Sequence, residues 1–234
     1  MFMDKTFMVV IPARGGSKGI PHKNIVDFYG KPLIVYTIEA AKQSKYIDKI
    51  IVSTDDIEIK NVSLKYGAEV PYLRPKQISG DSSKSIEVIL HTIDYLKNNG
   101  KSYDYVVLLQ PTSPLRTHID IDTAIEKIIS ESAISLVSVC EVSENPVLMR
   151  VITEDKLLPI IKFEGDNLRR QELPVFYKFN GAIYVNSTEM LLNEKQFVNE
   201  DTIPFIMEKE KSIDIDNEFD LKCAEIILKQ KYSK

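Results

Sequence analysis

The sequence predicts an α/β fold with a mostly parallel central sheet. Two observations carry that prediction. Short apolar runs alternate with stretches of helical periodicity, and polar loops follow the apolar runs at 13–24, 53–56, 110–117 and 141–146. Strand, helix, strand in this rhythm is the right-handed βαβ unit, whose ligands sit beyond the carboxyl ends of the strands. The chain has 234 residues, 44% apolar and 27% charged. That suits one sizeable domain, 1–234, with an ordinary globular core.

In order, residues 9–11 lie in the apolar run Phe7-Met8-Val9-Val10-Ile11 and read as a buried strand. Residues 32–44 read as a helix, with Leu33, Ile34, Ile38 and Ala41 on one face and Pro32 in the first turn. Residues 49–53 form the next strand, and 57–66 a helix stopped by Gly67. A short extended piece covers 69–73. Ile86, Ile89, Leu90, Ile93 and Leu96 have helical spacing across 85–97, ended by Asn98-Asn99-Gly100. Asp81, Ser82 or Ser83 could cap that helix. A strand at 105–109, a helix at 123–130 and a strand at 134–139 continue the rhythm. Residues 141–180, with Pro146, Pro159 and Pro174, break it and read as an insertion that caps the site or makes a subunit contact. A strand resumes at 181–185. A last strand at 212–216 feeds a helix at 217–230.

Formal charge is −4. A mildly acidic chain with one local basic loop argues against a nucleic-acid partner. Cys140 and Cys223 lie in apolar stretches outside any metal-binding spacing, so buried thiols are expected. No apolar stretch reaches the roughly 18 to 20 residues of a membrane span, and no cationic leader precedes an apolar run. A cytoplasmic protein without a membrane partner is expected.

The chemistry begins with Ala13-Arg14-Gly15-Gly16-Ser17-Lys18-Gly19-Ile20-Pro21-His22-Lys23-Asn24. Glycines let the backbone approach a ligand, and Arg14, Lys18 and Lys23 add positive charge, which suits a polyphosphate. Neither the Walker A spacing nor Gly-x-Gly-x-x-Gly is present. A flexible basic surface loop is the bland alternative. Asp214-x-Asp216 places two carboxylates on one face of an extended segment, suited to Mg²⁺, although Asp216 could instead cap the following helix. Gln110, Thr112, Ser113 and Arg116 offer donors after the 105–109 strand, or a turn that satisfies itself. Arg74 with the serines of 82–85 could read a base. Arg169-Arg170 with Tyr177 and Asn180 could bind a carboxylated, hydroxyl-rich substrate, or be exposed charge.

Together, Ile11-Pro12-Ala13-Arg14-Gly15-Gly16-Ser17-Lys18-Gly19-Ile20-Pro21, Lys23-Asn24, Gln110-Pro111-Thr112-Ser113-Pro114-Leu115-Arg116, Arg170-Gln171-x-Leu173-Pro174, Asn180-Gly181-Ala182-Ile183-Tyr184 and Asp214-Ile215-Asp216 resemble the acylneuraminate cytidylyltransferases. The resemblance covers nearly the whole chain, in order. It implies a three-layer Rossmann-like nucleotidyltransferase fold, with 141–176 as a dimerisation insertion and a homodimer. It implies transfer of CMP from CTP to the anomeric hydroxyl of N-acetylneuraminic acid or a related nonulosonic acid, with release of pyrophosphate. Ala13, Arg14, Gly15, Ser17, Lys18, Lys23, Asn24, Arg74 and Ser85 would then bind the nucleotide. Gln110, Arg170, Tyr177 and Asn180 would face the sugar acid. Asp214 and Asp216 would hold Mg²⁺, and Arg14, Lys18 and Asp214 would be catalytic. One departure stands out: family members often carry a lysine two residues after a proline of the insertion, where this chain has Leu148. Either Arg150 substitutes, or the substrate is a relative such as a legionaminic-type acid. A sister enzyme using GTP and a silent nucleotide-binding regulator are the other readings.

Overall fold

A computed structural model of the chain describes residues 1–17, 19–162, 169 and 173–232. Strand β1 (Phe7–Pro12) is followed by the short pair β2 (Asp27–Phe28) and β3 (Lys31–Pro32), helix α1 (Leu33–Gln43), β4 (Ile47–Ser53) and α2 (Ile57–Lys65). Next come α3 (Ser85–Asn98), β5 (Tyr105–Leu108), α4 (His118–Ser130) and β6 (Ser135–Glu141). The hairpin β7 (Arg150–Thr153) and β8 (Lys156–Pro159) precedes β9 (Tyr177–Ser187), α5 (Thr188–Glu194), β10 (Ile203–Ile206) and α6 (Glu218–Tyr232).

Six strands form the main sheet in the order β10-β6-β9-β5-β1-β4. β1 pairs parallel with β4 and β5, and β10 parallel with β6, whereas β9 is antiparallel to both β5 and β6. The mostly parallel sheet is therefore observed, with one reversed strand. That reversal matters for the site. β9 enters the sheet at the edge where the parallel strands end, since Tyr177 pairs with Glu141.

Strand periodicity of two makes the layers. Phe7, Val9 and Ile11 share one core with Ile34, Ile38, Ile59, Ile121 and Ile125, which places α1, α2 and α4 on one face. Met8 and Val10 meet Ile89, Ile93 and Leu191, which places α3 and α5 on the other. Ile215, Ala224 and Leu228 join Ile20, Phe28 and Leu115, so α6 closes over the loops. Among the described residues no helix is long and apolar enough to cross a membrane.

Several expectations need correction. Residues 212–216 form no strand: the Ile215 N–H donates to the Thr112 carbonyl at 2.8 Å, and no ladder follows. The extended backbone still alternates, with Ile215 buried and Asp214 and Asp216 outward. Asp216 does not cap α6; the Asn217 carboxamide accepts from the N–H groups of Phe219 (2.9 Å) and Asp220 (3.1 Å). α4 begins five residues before the predicted 123, because Thr117 and Asp120 form a capping box. Asp120 and Asp122 hid that start in the apolar pattern, yet both are buried and bonded. For α3, none of Asp81, Ser82 and Ser83 is the cap: the Lys84 N–H donates to Glu87 at 3.0 Å. Pro32 stands just before α1 rather than within it.

Arg116 is a structural residue, contrary to the ligand role considered for it. It is 2% exposed. Its guanidinium donates to the Ala182 carbonyl at 2.9 Å, the Gln110 carbonyl at 3.3 Å and Thr37 Oγ1 at 2.7 Å. Burial lowers its pKa to about 9. Arg116→Met is expected to lower stability by about 3 kcal/mol, since the buried Ala182 carbonyl and Thr37 hydroxyl lose this donor, while the Gln110 carbonyl keeps the Ser113 N–H. Urea unfolding measures this, and an unchanged midpoint would contradict it.

Candidate active site

The loops that follow the carboxyl ends of β1 and β5 border a cavity of about 570 Å³. Arg14, Ser17, Lys23 and Asn24 of the glycine-rich loop line one side. Arg74 and Ser85 line another, Gln110 and Thr112 a third, and Asp214 and Asp216 face the loop. Most of the sequence-predicted nucleotide residues therefore share one space. Lys18 lies outside the described residues.

Close packing sets how the loop meets the aspartate segment. A Cβ on Gly19 would stand 2.0 Å from the Asp216 carbonyl oxygen, so only glycine fits there. Lys23 Nζ donates to the Ile215 carbonyl at 2.8 Å and to Asp216 Oδ1 at 3.0 Å. Asn24 Nδ2 donates to the Arg14 carbonyl at 2.9 Å and so braces the loop. Arg14 pairs with Asp81 across the cavity at 2.5 Å, a partner the sequence reading missed.

Ala13 and Gly15 do not line the cavity. The Ala13 N–H donates to the Ser53 carbonyl at 2.9 Å, and the Gly15 N–H to Asp55 Oδ1 at 3.0 Å. Amides committed to the protein cannot cradle a phosphate.

A second cavity of about 660 Å³ adjoins the first, and Asp214 and Asp216 line both. Lys178, Phe179, Met149 and Lys209 contribute to its wall. Desolvation raises the pKa of the Asp214 carboxyl; a Thr112 hydrogen bond and Lys23 oppose the rise, while Asp216 and Asp220 add to it. Two carboxylates without a third ligand suit Mg²⁺, which takes one or two carboxylates and fills its shell with water and substrate phosphate oxygens. Among the described residues no group of three or more metal-ligating side chains gathers, so the protein alone builds no closed cage.

Asn180 borders this second cavity, but its carboxamide is saturated inside the protein. Nδ2 donates to Ser212 Oγ at 2.9 Å, and Oδ1 accepts from Ser138 Oγ at 2.5 Å and from the Ala182 N–H at 3.1 Å. It shapes the wall rather than presenting a free amide. Tyr177, the first residue of β9, lines neither cavity, whereas the adjacent Lys178 borders the second. Gln110 lines the first cavity and not the second; Gly181, at φ +72°, has its Cβ position 2.4 Å from Gln110 Oε1, so the glycine makes room for that amide. Arg170 lies outside the described residues. A larger cavity, about 910 Å³, sits between α1, α6 and residues 114–119. It holds neither the glycine-rich loop nor the aspartates, so size does not mark the site.

Over residues 8–231 the sequence matches the cytidylyltransferase family. It is 36% identical to the pseudaminic acid cytidylyltransferase of Campylobacter jejuni, an alignment covering 95% of this chain and 96% of that one. It is 34% identical to the N-acylneuraminate cytidylyltransferase of Escherichia coli, across 99% of this chain and 54% of that one. A CMP:2-keto-3-deoxy-manno-octonic acid synthetase solved with CTP superposes with a TM-score of 0.71 at 19% identity, covering 97% of this chain and 99% of that one; this supports the Rossmann-like fold. The chain belongs to the cytidylyltransferase family.

Proposed function

We propose that the protein transfers CMP from CTP to the anomeric hydroxyl of a sialic-type nonulosonic acid. The observation that carries this reading is the shared wall: Asp214 and Asp216 line both cavities, one bounded by the glycine-rich loop with Arg14, Lys23 and Arg74 facing the aspartates, the other bordered by Lys178 and Lys209. The triphosphate takes the first cavity, against Arg14, Ser17, Lys18 and Lys23. The base and ribose lie towards Arg74 and Ser85. The acid takes the second, with Gln110 towards the first cavity, Arg170 from the insertion, and Lys178 opposite its carboxylate; Lys209, paired with Glu141 at 3.3 Å, joins only by exchanging that partner.

The sugar hydroxyl oxygen attacks the α-phosphorus while its proton passes to a carboxylate of the aspartate pair or to a bound water, the bond from that phosphorus to the bridging oxygen breaks, and pyrophosphate leaves. Such transfer needs positioning and neutralisation of spreading charge. Arg14 and Lys18 supply the cations, and a triphosphate displaces Asp81 from Arg14. Mg²⁺ held by Asp214 and Asp216 would neutralise phosphate oxygens and lower the pKa of the attacking hydroxyl. Lys23 keeps Asp216 in place.

A specific observation favours a relative of N-acetylneuraminic acid as the acid. Arg150 does not replace the family lysine: its Nη1 donates to the carbonyls of Val147 and Met149, both at 2.8 Å. Met149 borders the second cavity instead. A pseudaminic- or legionaminic-type acid is therefore the better reading. Pyrophosphate release tests it, with CTP, UTP, GTP or ATP against a panel of nonulosonic acids. Release with CTP and one such acid is expected. No release with any acid would sink the proposal, and release with GTP alone would select a sister enzyme.

The insertion at 141–176 supplies a subunit contact in this reading. In β7 and β8 the side chains of Ile152 (73% exposed) and Leu157 (68%) stand in solvent, with Val151 and Leu158 also exposed. A two-stranded hairpin with that much apolar surface is marginal alone, and a second copy of the chain would cover it. Replacing both Ile152 and Leu157 by Asp is expected to turn a sedimenting dimer into a monomer with unchanged helix content. A dimer that survives would contradict the assignment.

A further inference from the structure

We propose that Ser53, Tyr72 and Thr92 form a buried relay that fixes the Arg74 guanidinium and thereby sets the preference for cytosine over uracil. This rests on the reading of the first cavity as a CTP site. None of the three lines either cavity, so they act through Arg74 as positioning residues.

Arg74 is 6% exposed yet lines the nucleotide cavity. Its backbone N–H donates to the Thr54 carbonyl at 2.7 Å. Its Nε donates to Ser53 Oγ at 3.2 Å, and its Nη2 donates to the Ser53 carbonyl. One serine thus takes two N–H donors from the five of the guanidinium and fixes its plane. Ser53 is itself held. The Tyr72 hydroxyl donates to Ser53 Oγ at 3.3 Å and shares a bond of 2.6 Å with Thr92 Oγ1. Ser53 and Thr92 are fully buried. The Tyr72 ring cannot swing away, because His91 meets it edge-on at 4.6 Å and Tyr95 packs on it at 4.9 Å.

A fixed fork of donors discriminates by pattern. Cytosine presents two adjacent acceptors, O2 and N3. Uracil presents O2 beside an N3–H donor, which would face the donors of Arg74. A site built from buried hydrogen-bonding groups rejects the mismatched analogue strongly. A guanidinium free to tilt would bond O2 alone and treat both bases alike. Selectivity therefore depends on the rigidity that Ser53 and Tyr72 impose, not only on the charge of Arg74.

Titration calorimetry with CTP and with UTP tests this, on wild type, Tyr72→Phe, Ser53→Ala and Tyr95→Phe. Tyr72→Phe keeps the ring contacts and removes only the hydroxyl. It is expected to reduce the ratio of UTP to CTP dissociation constants about tenfold, which corresponds to about 1.4 kcal/mol, chiefly by weakening CTP. Ser53→Ala should reduce it at least as much. Tyr95→Phe loses the bond from its hydroxyl to the Pro71 carbonyl and should leave the ratio unchanged. An unchanged ratio in Tyr72→Phe, or an equal fall in Tyr95→Phe, would overturn the relay. A wild type that binds both nucleotides alike would also overturn it. A wild type that prefers CTP but releases no pyrophosphate would instead defeat the catalytic reading and leave the relay standing.

Discussion

Asp214→Asn is expected to lower CMP transfer by about a thousandfold, in the range of losing a key electrostatic group. The substitution keeps size and shape and removes one negative charge. The fold should persist, because the local backbone is held by other bonds: the Ile215 N–H to Thr112, and Lys23 to the Ile215 carbonyl. CTP should still bind through the opposite, cationic wall. Steady-state turnover across a Mg²⁺ titration, with circular dichroism as the control, measures the effect. Wild-type turnover would refute the role given to Asp214, and an unfolded variant would refute the claim that its carboxylate is not structural.

Gly19→Ala should lower kcat/KM for CTP by about a hundredfold, the scale of an ångström-sized misplacement. The new Cβ would overlap the Asp216 carbonyl oxygen at 2.0 Å. No side-chain rotation relieves a clash with backbone, so the loop must lift away from the aspartate segment. Gly16→Ala is the internal control, since a Cβ there meets nothing within 4 Å. Equal activity in the two variants would show that the loop and the aspartates need not be clamped together.

The site was legible where local chemistry and position agree. The glycine-rich loop follows an apolar strand, and Asp214 and Asp216 alternate around a buried Ile215 even without a ladder. What stayed hidden depends on partners distant in sequence. Nothing near Arg116 announces that the Ala182 carbonyl and Thr37 will use its donors. Asn180 reads as a ligand amide until Ser138 and Ser212 are brought beside it. Tyr177 and Asn180 are three apart, so a regular strand could not aim both at one ligand, and that much was available from periodicity. The irregular pairing of β6 with β9 between Val137 and Val139 was not. Nor was the direction of β9, because Ala182-Ile183-Tyr184-Val185 is a continuous apolar run, the pattern usual for a parallel strand buried on both faces.

The central claim is that the aspartate pair stands between a nucleotide and an acid. Anomalous diffraction from crystals grown with CTP and Mn²⁺ tests it most directly. The expected result is a manganese peak on Asp214 and Asp216, with the triphosphate against Arg14 and Lys23 and the cavity beside Lys178 left free for the acid. A triphosphate in the cavity between α1 and α6, or manganese away from both aspartates, would contradict it.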